Sequence, residues 1–259
     1  MSVEIDKNLL QKNLIFDLPV QYDDHITLYP IRITNILEFQ IFQLAITARK
    51  DSIFPRKDVI KMGYWDFIKE AALNPENFAS KDLPLVSIYH SYILTMLPII
   101  CGEDSDIQYN QSTLDVYINN ELLTNEIFDD LRRIIIIQND IDFDIDEFMN
   151  IDTLRALEKA RDFEAKKNKE VFNIEDYIDS LVVSLKSTND YVMNLTVRKF
   201  WRYIKRINKY DQYEACLNGQ MSGMVTFKEP IEHWMTSIEI KDKYENLKTD
   251  ENELREKIG

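Results

Sequence analysis

From Val197 to Leu217 the chain keeps a helical period for 21 residues without a glycine or a proline. At 100° per residue, Val197, Phe200, Trp201, Ile204 and Ile207 fall in an arc of about 120°. Arg198, Lys199, Arg202, Lys205, Arg206 and Lys209 fill an arc of about the same width on the opposite side. Thr196 stands as the N-cap and Gly219 as the stop. Such an element must meet an apolar surface with one face and water or anions with the other, so helix packing dominates the fold. Glycine and proline, 5 and 7 among 259 residues, are too scarce for a turn-dense β architecture.

The rest of the chain supports a fold that is mainly α with a minor β element. Residues 1–138 read as an α+β N-terminal part. Residues 139–151 form an acidic connector, 152–237 a helical C-terminal part, and 238–259 a charged terminal helix or tail. Ile26 to Ile33 predicts an edge strand, because Pro30 cannot donate into a central ladder. Asn35 with Glu38 suggests a capping box opening a helix to Ala48. That helix is apolar nearly all round and is expected to be buried. Further helices are predicted over 57–72 and 85–97, the second stopped by Pro98. Asn119-Asn120 tolerates the positive φ of a two-residue hairpin between Leu114–Ile118 and Glu121–Thr124. Thr124 or Asn125 then caps a helix to Ile137, Asp152 one to Lys169, and Asn173 one with an apolar stripe through Leu181.

Charge is unevenly placed. Residues 101–150 hold 13 acids against 2 arginines, net −11 out of −14 for the whole chain. Overall acidity argues against a general nucleic-acid binder, which needs a basic footprint. Asp140, Asp142, Asp144 and Asp146 suggest a cation site at first sight. A calcium loop, however, needs glycine at its sixth position and an acid at its twelfth, where Ile145 and Ile151 stand. That segment reads as a solvated linker. His25, His90 and His233 lie far apart, Cys101 and Cys216 have no paired spacing, and no phosphate-binding loop or nucleophile elbow occurs. No metal, no cofactor and no enzymatic activity are expected. The longest apolar run, Tyr92 to Ile100, is about half a bilayer span, so no membrane partner is expected either. The first residues carry no basic and apolar leader.

The words Leu195-Thr-Val-Arg-Lys-Phe-Trp-Arg-Tyr-Ile-Lys-Arg-Ile-Asn-Lys-Tyr210, Met221-Ser-Gly-Met-Val-Thr-Phe227 and His233-Trp-Met235 resemble the C-terminal part of a particular group of phage proteins. These are the tail-assembly chaperones and morphogenesis proteins of phages infecting low-GC Gram-positive bacteria. The resemblance implies a non-enzymatic role in the cytoplasm of the infected host. There the chain would hold a tape-measure or tail-tube protein during assembly. No functional residues carry over from the resemblance; the candidate partner contacts, read from charge and side-chain type, are Arg198, Arg202, Lys205 and Lys209 on the basic face, with Met221, Met224, Phe227, Trp234 and Met235 beside flexible Gly223. Two other readings remain open: a connector or baseplate component kept in the virion, and a phage nucleic-acid-associated regulator or metal-dependent nuclease.

Overall fold

The computed structural model describes residues 7–81, 85–143, 145, 152, 173–223 and 225–238. Its contacts divide the chain into two compact units, Met1–Phe200 and Trp201–Gly259. The architecture is mainly α with a few short antiparallel strands, as the sequence implies. Most of the acidic connector, the helix expected over 152–169 and the terminal segment from residue 239 lie outside the described residues.

In the first unit, α1 (Lys7–Phe16) leads into a ribbon of β1 (Val20–Gln21) and β2 (Thr27–Leu28), paired Val20↔Leu28 and Gln21↔Thr27. The expected edge strand shrinks to β2. Beyond Pro30 the backbone turns to residues 195–197 instead. Ile33 N–H donates to the Leu195 carbonyl at 2.9 Å, and Val197 N–H to the Ile31 carbonyl at 2.8 Å.

A 3-10 turn over Ile33–Asn35 then opens α2 (Ile36–Thr47), and the Asn35 side chain makes no cap bond, so the capping box is absent. α2 buries Ile36, Phe39, Phe42, Ala45 and Ile46 and packs against α6 (Tyr89–Cys101). Leu37 and Leu44, however, are 60% and 50% exposed, with Ile41 between them. A helix that reads as apolar all round is therefore covered on one side only.

The helix expected over 57–72 breaks into α4 (Lys57–Lys61) and α5 (Tyr64–Leu73), after the short α3 (Lys50–Ile53). The break is Gly63, where a Cβ would fall 2.2 Å from the Asn125 side chain. That side chain enters the space and accepts from Asp66 N–H at 3.0 Å, closing the open end of α5. α6 runs through Pro98 rather than stopping there, since the ring is exposed and Ile100 and Cys101 beyond it are buried.

A three-stranded meander follows: β3 (Ile107–Tyr109), β4 (Val116–Ile118) and β5 (Glu121–Leu122). The β4–β5 turn holds Asn119 and Asn120 at φ 49° and 67°, the conformation that asparagine tolerates. α7 (Asn125–Gln138) starts from Thr124, whose hydroxyl accepts from Ile127 N–H at 3.3 Å. α8 (Ile174–Leu185) starts from Asn173 in a full capping box with Asp176, and α9 (Asn189–Met193) from Thr188.

α5 and α7 bring the main aromatic cluster together. Trp65 lies 4.8 Å from Phe128 and stacks on His90 at 5.3 Å, and Tyr64 stacks on Phe128 at 6.2 Å. Phe54, Phe67 and Phe78 form a second group with centroids 5.6–6.1 Å apart. Each ring taken fully out of water contributes roughly 1.5–3 kcal/mol.

α10 (Val197–Met221) begins in the first unit and supplies the only long helix of the second among the described residues. It passes through Gly219, the expected stop, and ends two residues later. Gly223, at φ 71°, takes the left-handed position instead, with its N–H on the Gln220 carbonyl at 3.1 Å.

A candidate partner-binding surface

The first turn of α10 is anchored within the first unit. The Thr196 hydroxyl accepts from Lys199 N–H at 3.1 Å and donates to Asp17 Oδ1 at 3.0 Å. Arg198 Nη1 donates to the Leu14 carbonyl at 3.1 Å, and Lys199 Nζ to the Ile15 carbonyl at 3.0 Å. Both acceptors sit in the last turn of α1, where carbonyls lack helical partners and the dipole is negative. The basic arc is therefore not a plain solvated face. Its first two cations close a neighbouring helix end, and Arg198 reaches that end rather than open water.

The same chemistry recurs in the second unit with a different acceptor. Past Gly223 the chain returns alongside α10. Arg206 Nη1 donates to the carbonyls of Trp234 and Thr236, the latter at 2.9 Å. Lys209 Nζ meets Glu232 Oε1 at 3.2 Å and the Ser237 carbonyl at 3.0 Å. Rings add to this. Tyr210 meets Trp234 edge-on at 5.3 Å, and Tyr213 meets His233 edge-on at 5.0 Å. Residues 232–237 are thus strapped onto the helix by cations at positions 206 and 209 and rings at 210 and 213. Arg202 and Lys205 are half-buried and each makes contacts of its own.

With the strap fixed, large apolar groups are left in water. Met221 is 83% exposed, Met235 65% and Val225 46%, while Phe227 and Trp234 are half-buried. Met224 lies outside the described residues. Of the residues singled out from sequence, the structure gathers Lys209, Phe227, Trp234 and Met235 around the strap. Arg198 belongs to the first unit, and Met221 stands at the end of α10.

A half-open cavity of about 260 Å³ lies between α10 and the segment just before the strap, lined by Lys209, Gln212, Tyr213 and Cys216 on the helix and by residues 227–232 opposite. Sequence reasoning missed Gln212 and Cys216 as members of this surface. The signal was their spacing with Lys209 and Tyr213, which puts all four on one helical face.

Burial perturbs several polar groups of the first unit. Burial pushes the Cys101 thiol up to about 12. It also holds His90 below its ordinary value, while the Leu114 carbonyl, 3.0 Å from Nε2, acts in the opposite direction. Glu121 is raised, first by burial and then by the Asp23 carboxylate. Among the described residues, no three His, Cys, Asp or Glu side chains are grouped to hold a metal, and no helix is long and apolar enough to cross a membrane.

Residues 166–239, well short of half the chain, match the family described as the YomV second domain. That family is phage-associated, and the match points to a phage protein. The matched segment contains α8, α9, α10 and the strapped return. No curated protein and no solved structure matches the chain.

Proposed function

We propose that this chain is a non-enzymatic phage protein that works in the host cytoplasm by binding another phage protein during tail assembly. The partner class is a tape-measure or tail-tube protein. The observation that carries the reading is the state of the second unit. Its backbone is fastened by Arg206 and Lys209, yet Met221, Val225 and Met235 stand in water. Methionine adapts its shape at little cost, which suits a partner whose helices vary along their length. A fastened scaffold also spares part of the ordering entropy of binding. The family match covers this same segment and is phage-associated.

The test is an affinity pull-down of the tagged full chain from infected or induced lysogenic cells, with partners identified by mass spectrometry. A tape-measure or tube protein should be recovered, and Met221→Lys with Met235→Lys should cut recovery at least about tenfold, since 1.4 kcal/mol is tenfold in affinity. The chain should be missing from purified virions. Its presence there in stoichiometric amount would make it a connector or baseplate component, and recovery of nucleic acid alone would make it a regulator.

A further inference from the structure

We infer that the cavity between α10 and residues 227–232 is a receptor for one uncharged aromatic side chain of the bound partner. This inference rests on the protein-binding reading and names its anchor point. Size is the first argument. At about 260 Å³ the space is below the roughly 300–1,000 Å³ of sites that enclose a cofactor or a drug-sized ligand. It is above the roughly 150 Å³ that suffices for a benzene ring. One phenylalanine or tryptophan side chain is the matching unit.

Lining is the second argument. About half of the lining is apolar, where Tyr213, Cys216, Phe227, Pro230 and Ile231 offer ring faces, a thiol and aliphatic surface, the partners an aromatic group prefers. Charge is the third. The lining holds two cations, Lys209 and Lys228, and two anions, Glu229 and Glu232. Lys209 is already bonded to Glu232 and to the Ser237 carbonyl. The balance is neutral, so the lining favours neither sign of charge and a neutral ring meets no net field there.

Cys216 makes the inference measurable, because it lines the cavity while Cys101 is buried. N-ethylmaleimide should label the native full chain once, at Cys216, as read by intact mass and peptide mapping. N-acetyltryptophanamide held with a Kd of about 1 mM should, at about 5 mM, slow that labelling about sixfold. N-acetylglycinamide and N-acetylaspartamide should leave the rate unchanged. Equal rates with all three probes, or slowing by the aspartate probe alone, would overturn the inference.

The second arm fills the space with Ile231→Phe, and independently with Gln212→Trp in case the first perturbs folding, each checked for an unchanged thermal midpoint. A filled cavity that abolishes capture of a tail protein supports the inference. Undiminished capture by a folded filled variant overturns it and leaves the protein-binding reading standing. If wild type captures no tail protein, that reading falls, and the labelling arm still decides the cavity. An aromatic metabolite carried by the purified chain in native mass spectrometry would replace the side-chain assignment with a free ligand.

Discussion

The two units use the same kinds of side chain for opposite ends. In the first, Arg132 is buried and donates through Nε and Nη2 to the Ile46 carbonyl at 3.0 and 2.7 Å, with Nη1 on Asp129 at 2.8 Å. Its guanidinium lies 3.4 Å from the Tyr64 ring centroid, and Tyr64 donates to the Ala45 carbonyl at 2.9 Å. The end of α2 is thereby closed inside the aromatic core. In the second unit Arg206 does equivalent work on the strap, yet its acceptors Trp234 and Thr236 are half-buried and exposed. Water competes for every bond there. Burial, not the inventory of bonds, decides their weight: lost donors are costly in a dry core and cheap where solvent replaces them. The anchoring bonds of one unit are dry and those of the other are wet, although both leave apolar groups exposed, Leu37 and Leu44 in the first and Met221 and Met235 in the second.

The largest expected effect is accordingly in the first unit. Trp65→Ala removes the ring shared by Phe128 and His90 and should cost about 3–5 kcal/mol in urea unfolding. Arg132→Met should follow at about 2–4 kcal/mol, because the Ile46 carbonyl would be left buried without its donor. Equal losses from Arg206→Met would erase the contrast between the units.

A smaller effect depends on pH. His90 faces the Trp65 ring, the Leu114 carbonyl and the Lys69 ammonium, itself tied to Asp115 at 3.0 Å. With its folded value below the unfolded one, the unfolded chain binds the extra proton. Stability is then full above about pH 6.5 and lost as pH falls toward the lowered folded value. His90→Gln keeps a donor for Leu114 but cannot titrate. Its urea midpoint should start lower and fall less between pH 7 and 5 than that of wild type. Parallel slopes would show that His90 does not set the acid response.

Some local rules were legible in the sequence, though Asn35, Pro98 and Gly219 misled, and long-range ones were not legible. Thr124, Asn173 and Thr196 were readable as caps, because the bond each makes is to a residue three positions on. The Asn119-Asn120 turn was readable because few residues tolerate its φ. The exposed row Leu37, Ile41 and Leu44 was invisible, since a helix apolar on every side does not say which side is covered. The partners of Arg198 and Lys199 are carbonyls 184 residues away in the chain, and no spacing rule reaches that far. For the candidate surface, sequence picked out Phe227, Trp234 and Met235 as side chains. What it could not supply was the return of the chain that sets them against α10, and with it the cavity.

The smallest expected effect tests the strap directly. Arg206→Ala removes the donor to the Trp234 and Thr236 carbonyls, both of which water can satisfy, so global stability should move by no more than about 1 kcal/mol. Local order should change far more. Thr236 N–H bonds the His233 carbonyl at 3.1 Å and Met235 N–H the His233 ring at 3.2 Å, a turn that depends on the strap lying flat. Hydrogen exchange at Met235 and Thr236 should accelerate at least about tenfold, while amides of α5 and α7 keep their wild-type rates. The ring of Trp234, freed from Tyr210, should shift its fluorescence toward that of an exposed indole. If exchange in the strap is unchanged, the rings alone hold it and the cations are incidental. If exchange in α5 and α7 rises as well, the two units unfold together, and the division between a dry core and a solvent-exposed strap does not hold in solution.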